Sequence, residues 1–207
     1  MKLRITRIFP TTALAVLALG LAACQTPKQK GHANSFTFDP PVKSPKNPAA
    51  VQVKLSTGAQ RLYVVEGNEV LLATPVTVGK SSSPTPHGMF KIYSKQAHRR
   101  RVSQPGAGYP MTYWMEFKPA YGMHWGFMKP YPNTMGCVRM PLKSAKKVFD
   151  LVRSGTPLHI ASSQPWDANH GKHLPTLDDG PLPNPPDSYL MSPQVFADAA
   201  KGKMWNF

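Results

Sequence analysis

Val51-Gln52-Val53-Lys54-Leu55, then Gln60-Arg61-Leu62-Tyr63-Val64-Val65, then Glu66-Gly67-Asn68-Glu69 and a return run over 70–78 form the stretch that decides the fold. The first five residues alternate apolar and polar, the period of a strand with one buried face. Residues 60–65 are rich in β-branched and aromatic side chains, and Gly67-Asn68 supplies the turn that sends 70–78 back along them. Outward from this hairpin, 88–93, 113–117, 122–126 and 158–160 read as further strands. One helix stands out at 141–152, where Leu142, Ala145, Val148, Phe149 and Val152 recur at helical spacing. Pro141 suits its first turn and Gly155 lies past its end. The expectation is a mostly β domain over 49–163, of sandwich or barrel-like form, with one or two short helices.

The flanks differ in character. Residues 164–207 hold seven Pro and little periodicity until Ser192-Pro193, which opens a short helix through Val195, Phe196 and Ala199. This Pro-rich extension either wraps the domain or stays loose. Residues 25–48 are rich in Pro, Lys, Asn, Ser and Gln and read as a flexible, disordered tether of roughly 80 Å when extended. Before them, Lys2, Arg4 and Arg7 precede an apolar run from Thr12 that ends in Leu21-Ala22-Ala23-Cys24. The run is too short to span a bilayer and fits a secretory signal peptide over 1–23. Its end resembles the bacterial lipobox, which implies a lipid on Cys24 and membrane attachment through it. Gln25 follows, which by the same resemblance leans toward the outer membrane.

Net charge is +15, and the excess lies before residue 165. Such a body attracts polyanions of any kind: nucleic acid, peptidoglycan carboxylates or anionic lipid. An exported, periplasmic protein meets the last two and not chromosomal DNA. With Cys24 lipidated, Cys137 is the remaining thiol, in an oxidising compartment without a disulfide partner.

Two segments bear the chemistry. Gly122-Met123-His124-Trp125-Gly126 ends an expected strand, and Thr134-Met135-Gly136-Cys137-Val138-Arg139-Met140 precedes the helix. A thiol attacks as thiolate, so Cys137 needs a base or a positive field. His124, Arg139 and the positive end of the helix near Pro141 are the candidate sources. Gly136 permits a tight turn and close approach of N–H groups to an oxyanion. One Cys and one His alone leave catalysis and an inert, buried thiol both open.

Further motifs narrow the choice. Residues 60–65 and Val76-Thr77-Val78-Gly79-Lys80, Thr85-Pro86-His87-Gly88-Met89-Phe90, His124 with Gly126, Thr134-Met135-Gly136-Cys137-Val138-Arg139, and Gly155-Thr156-Pro157-Leu158-His159-Ile160 follow in order. Together they resemble the L,D-transpeptidase catalytic domain family, also called YkuD-like, over about 50–162. The resemblance implies Cys137 as nucleophile, His124 as general base and acid, and an oxyanion site from the Gly136 and Cys137 backbone. It implies attack on a peptidoglycan stem tetrapeptide at the L-centre of residue 3 and release of D-Ala. The acyl group then passes to an amine of another stem or of an envelope protein, with no cofactor or metal.

Two departures stand out: Met135 occupies the place of the signature histidine, and the gap from His124 to Cys137 is short for the family, which implies a trimmed lid. A carboxypeptidase or amidase using water is the neighbouring alternative, and a non-catalytic peptidoglycan-binding lipoprotein the alternative from another class. Arg139, Thr134, Trp125 and Tyr113 are substrate-binding candidates. For Arg139 the other reading is a structural salt bridge, for Thr134 a plain turn residue, for Tyr113 core packing. His98-Arg99-Arg100-Arg101 reads as a solvated basic loop. No histidine has a partner at convincing metal-ligand spacing.

Overall fold

The computed structural model describes residues 32–101 and 108–207. The expected signal peptide, Cys24 and the first part of the expected tether lie outside the described residues. The body is mostly β, built on two sheets.

The hairpin read from the sequence is there: β1 (Val51–Ser56) pairs antiparallel with β2 (Arg61–Glu66), and β2 with β3 (Glu69–Pro75). β4 (Gly88–Lys91) and β9 (Pro157–Ala161) complete this sheet in the order β3-β2-β1-β9-β4. The second sheet runs β5-β6-β7-β8: Ser94–Gln96, Trp114–Lys118, Tyr121–Trp125 and Val138–Met140. Side chains of both sheets, among them Val53, Leu55, Leu62, Val64, Met115, Met123 and Val138, make one core with Leu142, Ala145 and Val148 of helix α1 (Leu142–Leu151). Burying each Val, Leu or Met side chain of this core contributes about 1.5–3 kcal/mol. The Lys95 Nζ of β5 donates to the carbonyls of Phe149 and Val152, a cation placed on the free carbonyls at the helix C-terminus.

Two expected strands are shorter than the sequence suggested, because the chain changes sheet within them. β3 stops at Pro75, and Thr77 then exchanges backbone hydrogen bonds with Arg139 of β8. Past β4, Ile92 N donates to Thr156 O while Tyr93 N donates to Glu116 O, and β5 follows in the second sheet.

The tether expected over 24–48 is corrected from residue 33 onward. Ala33 bridges to Leu177, and Phe36 packs on Phe127 and Phe207. Lys43 N donates to Leu71 O, and the Lys46 and Asn47 amides donate to Glu66. A buried carboxylate explains the grip: Asp179 accepts from Ser35 N, Ser35 Oγ and Met128 N, each at 2.7 Å.

The C-terminal extension wraps the body. It forms α2 (Asp187–Met191) and α3 (Gln194–Ala200), with Val195, Ala199 and Met204 fully buried. Two residues of the basic run, His98 and Arg100, dock these helices, while Arg99 lies on Trp114 and Arg101 lines a cleft. Arg100 donates to the carbonyls of Gly108, Leu190 and Ser192 and lies over Phe196; His98 stacks on the same ring. Carbonyls at the end of α2 are unpaired in the helix, so a guanidinium with five donors suits them.

Candidate active site

β7 and β8 are parallel neighbours, with Met123 opposite Val138, His124 opposite Arg139 and Trp125 opposite Met140. Side chains alternate along a strand, so His124, Arg139 and Cys137 share one face, and Met123, Trp125, Val138 and Met140 share the other. The second set is core, each fully buried. The first set lines an open cleft of about 340 Å³ with Arg101, Tyr109, Met111, Phe127, Thr134 and Met135.

His124 is 4% exposed. Its Nδ1 is bonded to the Trp125 carbonyl. A carbonyl only accepts, so Nδ1 carries the proton and Nε2 keeps a lone pair. Burial pushes the imidazole pKa down to about 4; the Trp125 carbonyl opposes this, and Arg139 and Arg99 assist it. Arg99 lies over the Trp114 ring, which is tilted against His124. His124 is therefore a neutral imidazole at neutral pH, with the Nε2 lone pair free to accept a proton.

Cys137 is half-buried, against the turn joining β6 and β7. Its Sγ donates to Ala120 O at 3.8 Å, a weak thiol contact. Burial pushes the thiol pKa up, against a Gly122 backbone hydrogen bond and the fields of Arg139, Arg99 and Arg101. The resting pair is thus neutral thiol and neutral imidazole, where the sequence led us to expect a thiolate. The expected helix field is also corrected. β8 separates Cys137 from α1 by roughly 10 Å of extended chain, so the helix N-terminus is not at the sulfur.

The cysteine loop is held by two threonines. Thr134 is buried; its Oγ1 accepts from Gly136 N at 3.1 Å and donates to Cys137 O at 2.6 Å. Its only proton is committed inside the loop, so Thr134 shapes the turn that presents Cys137. The Gly136 N–H is likewise committed, which removes it from the expected oxyanion pair. Among the described residues the Cys137 N–H has no protein partner. Gly136 has φ +107°, and a Cβ there would enter the Tyr121 ring, so both backbone and space require glycine.

Thr85, from the Thr-Pro motif, donates to the Gly136 carbonyl at 3.0 Å and accepts from Gly79 N at 2.9 Å. The sequence alone gives Thr85 no task beyond its place in that motif. Its signal was a threonine ahead of a proline with no hydrophobic reason to be buried.

Arg139 makes no ion pair among the described residues, and only a long contact, 3.5 Å, with Phe127 O. Gly126 leaves room for its stem, since a Cβ there would meet Arg139 Cδ and Cγ. Trp125 and Tyr113 do not line the cleft. Trp125 is 0% exposed and stacks on Tyr109, while Tyr113 packs on Phe149 and donates to Ala199 O. Alternation from His124 already places Trp125 on the core face. Met135, 66% exposed, stands at the lip of the cleft.

The model of the L,D-transpeptidase catalytic domain, YkuD, matches residues 49–160, more than half of the chain. The chain belongs to this family. The L,D-transpeptidase domain is 31% identical over 113 residues to the YkuD protein of Bacillus subtilis, covering 52% of this chain and 64% of that one. It is 30% identical over 128 residues to the YkuD protein of Bacillus licheniformis, covering 58% and 71%. Among solved structures, an L,D-transpeptidase of Stackebrandtia nassauensis superposes with TM-score 0.50 at 22% identity, over 60% of each chain, a likeness of fold. The chain thus spans just under two thirds of the first of these relatives. Residues 33–48 and 162–207, which hold Asp179, α2 and α3, fall outside the matched span.

Proposed function

We propose that this L,D-transpeptidase domain is a cysteine acyltransferase acting on peptidoglycan stem tetrapeptides, with Cys137 as nucleophile and His124 as general base and acid. One observation carries the reading: a buried, neutral imidazole, its tautomer fixed by the Trp125 carbonyl, shares a cleft with a thiol on the same face of the sheet. Catalytic hydrogen bonds are often loose before substrate arrives, so the weak Ala120 contact of the sulfur is no obstacle.

The chemistry runs in two steps. Nε2 of His124 takes the thiol proton as Sγ bonds to the carbonyl carbon of the third stem residue. The carbonyl electron pair moves to oxygen, and the Cys137 N–H holds it. The C–N bond to D-Ala breaks, and the leaving amine takes the proton from His124. In the second step an amine of another stem, or of an envelope protein, attacks the thioester. Its proton passes to His124 and then to sulfur as the C–S bond breaks. Arg139, without a carboxylate of its own among the described residues, is suited to a substrate carboxylate.

We also propose that the protein works in the periplasm, lipid-anchored at Cys24, at the outer membrane. The charged start, the apolar run and Leu21-Ala22-Ala23-Cys24 support this. Palmitate incorporation that is lost in Cys24→Ala tests it.

For the chemistry, the protein is incubated with purified disaccharide tetrapeptide and the products are separated by chromatography. The proposal expects cross-linked dimers and free D-Ala, both lost in Cys137→Ala. Tripeptide without dimers would replace the amine acceptor by water. Unchanged substrate would remove the enzymatic reading.

A further inference from the structure

We propose that Thr85 is a positioning residue for the oxyanion donor: by holding the Gly136 carbonyl it aims the Cys137 N–H into the cleft. The inference rests on the transpeptidase reading and adds to it a residue 52 positions before the nucleophile.

The carbonyl of residue 136 and the N–H of residue 137 belong to a single rigid unit and point in opposite directions. Whatever fixes one fixes the other. The unit next to it on the N-terminal side is pinned, because Gly136 N–H donates to Thr134 Oγ1. The unit on the C-terminal side is pinned too, because Cys137 O accepts from the same hydroxyl. The middle unit follows a glycine at φ +107°, whose missing side chain leaves its orientation the least constrained of the three. Thr85 supplies the missing restraint. Its Oγ1 accepts from Gly79 N at 2.9 Å, which turns its own proton toward Gly136 O, 3.0 Å away.

The two sides of the unit face different places. Thr85, 4% exposed, lines a separate cavity with Gly79, Pro84, His87 and Thr57. It is not among the residues of the cleft that holds Cys137. The carbonyl is drawn toward the Thr85 side, and the N–H is turned away from it. Thr85 therefore touches no substrate and acts through the peptide unit alone.

The test separates aim from nucleophile. The full chain is prepared as wild type, Thr85→Val, which keeps shape and loses the hydroxyl, and Thr85→Ser, which keeps the hydroxyl. Two rates are read on Cys137. Acylation by a carbapenem passes through an oxyanion. Alkylation by iodoacetamide displaces iodide and forms none. Loss of a full oxyanion donor costs about 100- to 1000-fold, and a misaimed donor less.

We expect Thr85→Val to slow acylation about 10- to 100-fold and to lower kcat on tetrapeptide with little change in KM. Alkylation and its pH profile should stay within about twofold, and Thr85→Ser should restore acylation. Wild-type acylation in Thr85→Val overturns the proposal. So does a parallel loss of acylation and alkylation, which would mean that the loop itself had collapsed. If Thr85→Val does not fold, Thr85→Ala is read by the same pair of rates. A wild type that alkylates but never acylates overturns the transpeptidase reading, and this inference with it.

Discussion

Asp179→Ala should destabilise the protein by about 3–5 kcal/mol and loosen one wall of the cleft. Asp179 is 3% exposed and accepts three hydrogen bonds, from Ser35 N, Ser35 Oγ and Met128 N. Removing it orphans two buried amides and a hydroxyl, and each orphan costs about 1–3 kcal/mol. Three orphans sum to about 3–9 kcal/mol, and because the hydroxyl can turn and water can enter the vacated space the loss falls in the lower part of that range. For a protein of this size the loss lowers Tm by roughly 6–20 °C. Asp179→Asn recovers only part of it, because its NH2 must face a donor. Met128 follows Phe127, a cleft residue, so KM for tetrapeptide should rise as well. The assay is urea unfolding of wild type, Asp179→Ala, Ser35→Ala and the double variant. Coupling of Ser35 with Asp179 should appear as a double variant less destabilised than the sum of the singles. An Asp179→Ala unfolding free energy within about 1 kcal/mol of wild type would refute the reasoning.

Gly136→Ala should cost about 2–5 kcal/mol, from the positive φ and the Tyr121 ring together, and should suppress acylation at least tenfold. Urea unfolding and carbapenem acylation check it, and wild-type values in both would show that the loop does not need glycine. The acid limb of kcat/KM should fall near pH 4 and not near 6.5, since burial holds His124 neutral. The same shift makes stability pH-dependent. The unfolded chain takes up the proton first, so stability is whole above pH 6.5. It declines as pH falls toward 4, by at most about 3 kcal/mol. An acid limb near 6.5 would place His124 in water.

Much of the architecture was legible because it is written in periodicity. The alternation of 51–55, the apolar run of 60–65 and the helical spacing from Leu142 to Val152 gave β1, β2 and α1 to within a residue or two. β8 was not legible, since three residues carry no period; it exists because β7 and Thr77 pair with its two sides. The change of sheet after Pro75 and after Ile92 is likewise set by distant partners.

At the site, the Cys and His segments pointed to one cleft, and register explains why: Arg139 opposite His124 puts Cys137 on the same face. Trp125 faces the core because alternation from His124, and not its residue type, decides its side of the sheet. Core packing, the other reading of Tyr113, is its place, and the docking of His98 and Arg100 was hidden because α2 and α3 come from a segment with almost no signal of its own. The Asp179 clamp on Ser35 was invisible for the same reason, as its partners lie 144 residues apart.

The central claim is that Cys137 forms a covalent acyl-enzyme with His124 as its base. The most direct measurement is the intact mass of the protein after incubation with a carbapenem, followed by peptide mapping. The account predicts one added carbapenem on Cys137, absent in Cys137→Ala and formed far more slowly in His124→Ala. An unchanged mass after prolonged incubation, or an adduct that persists in Cys137→Ala, would contradict it.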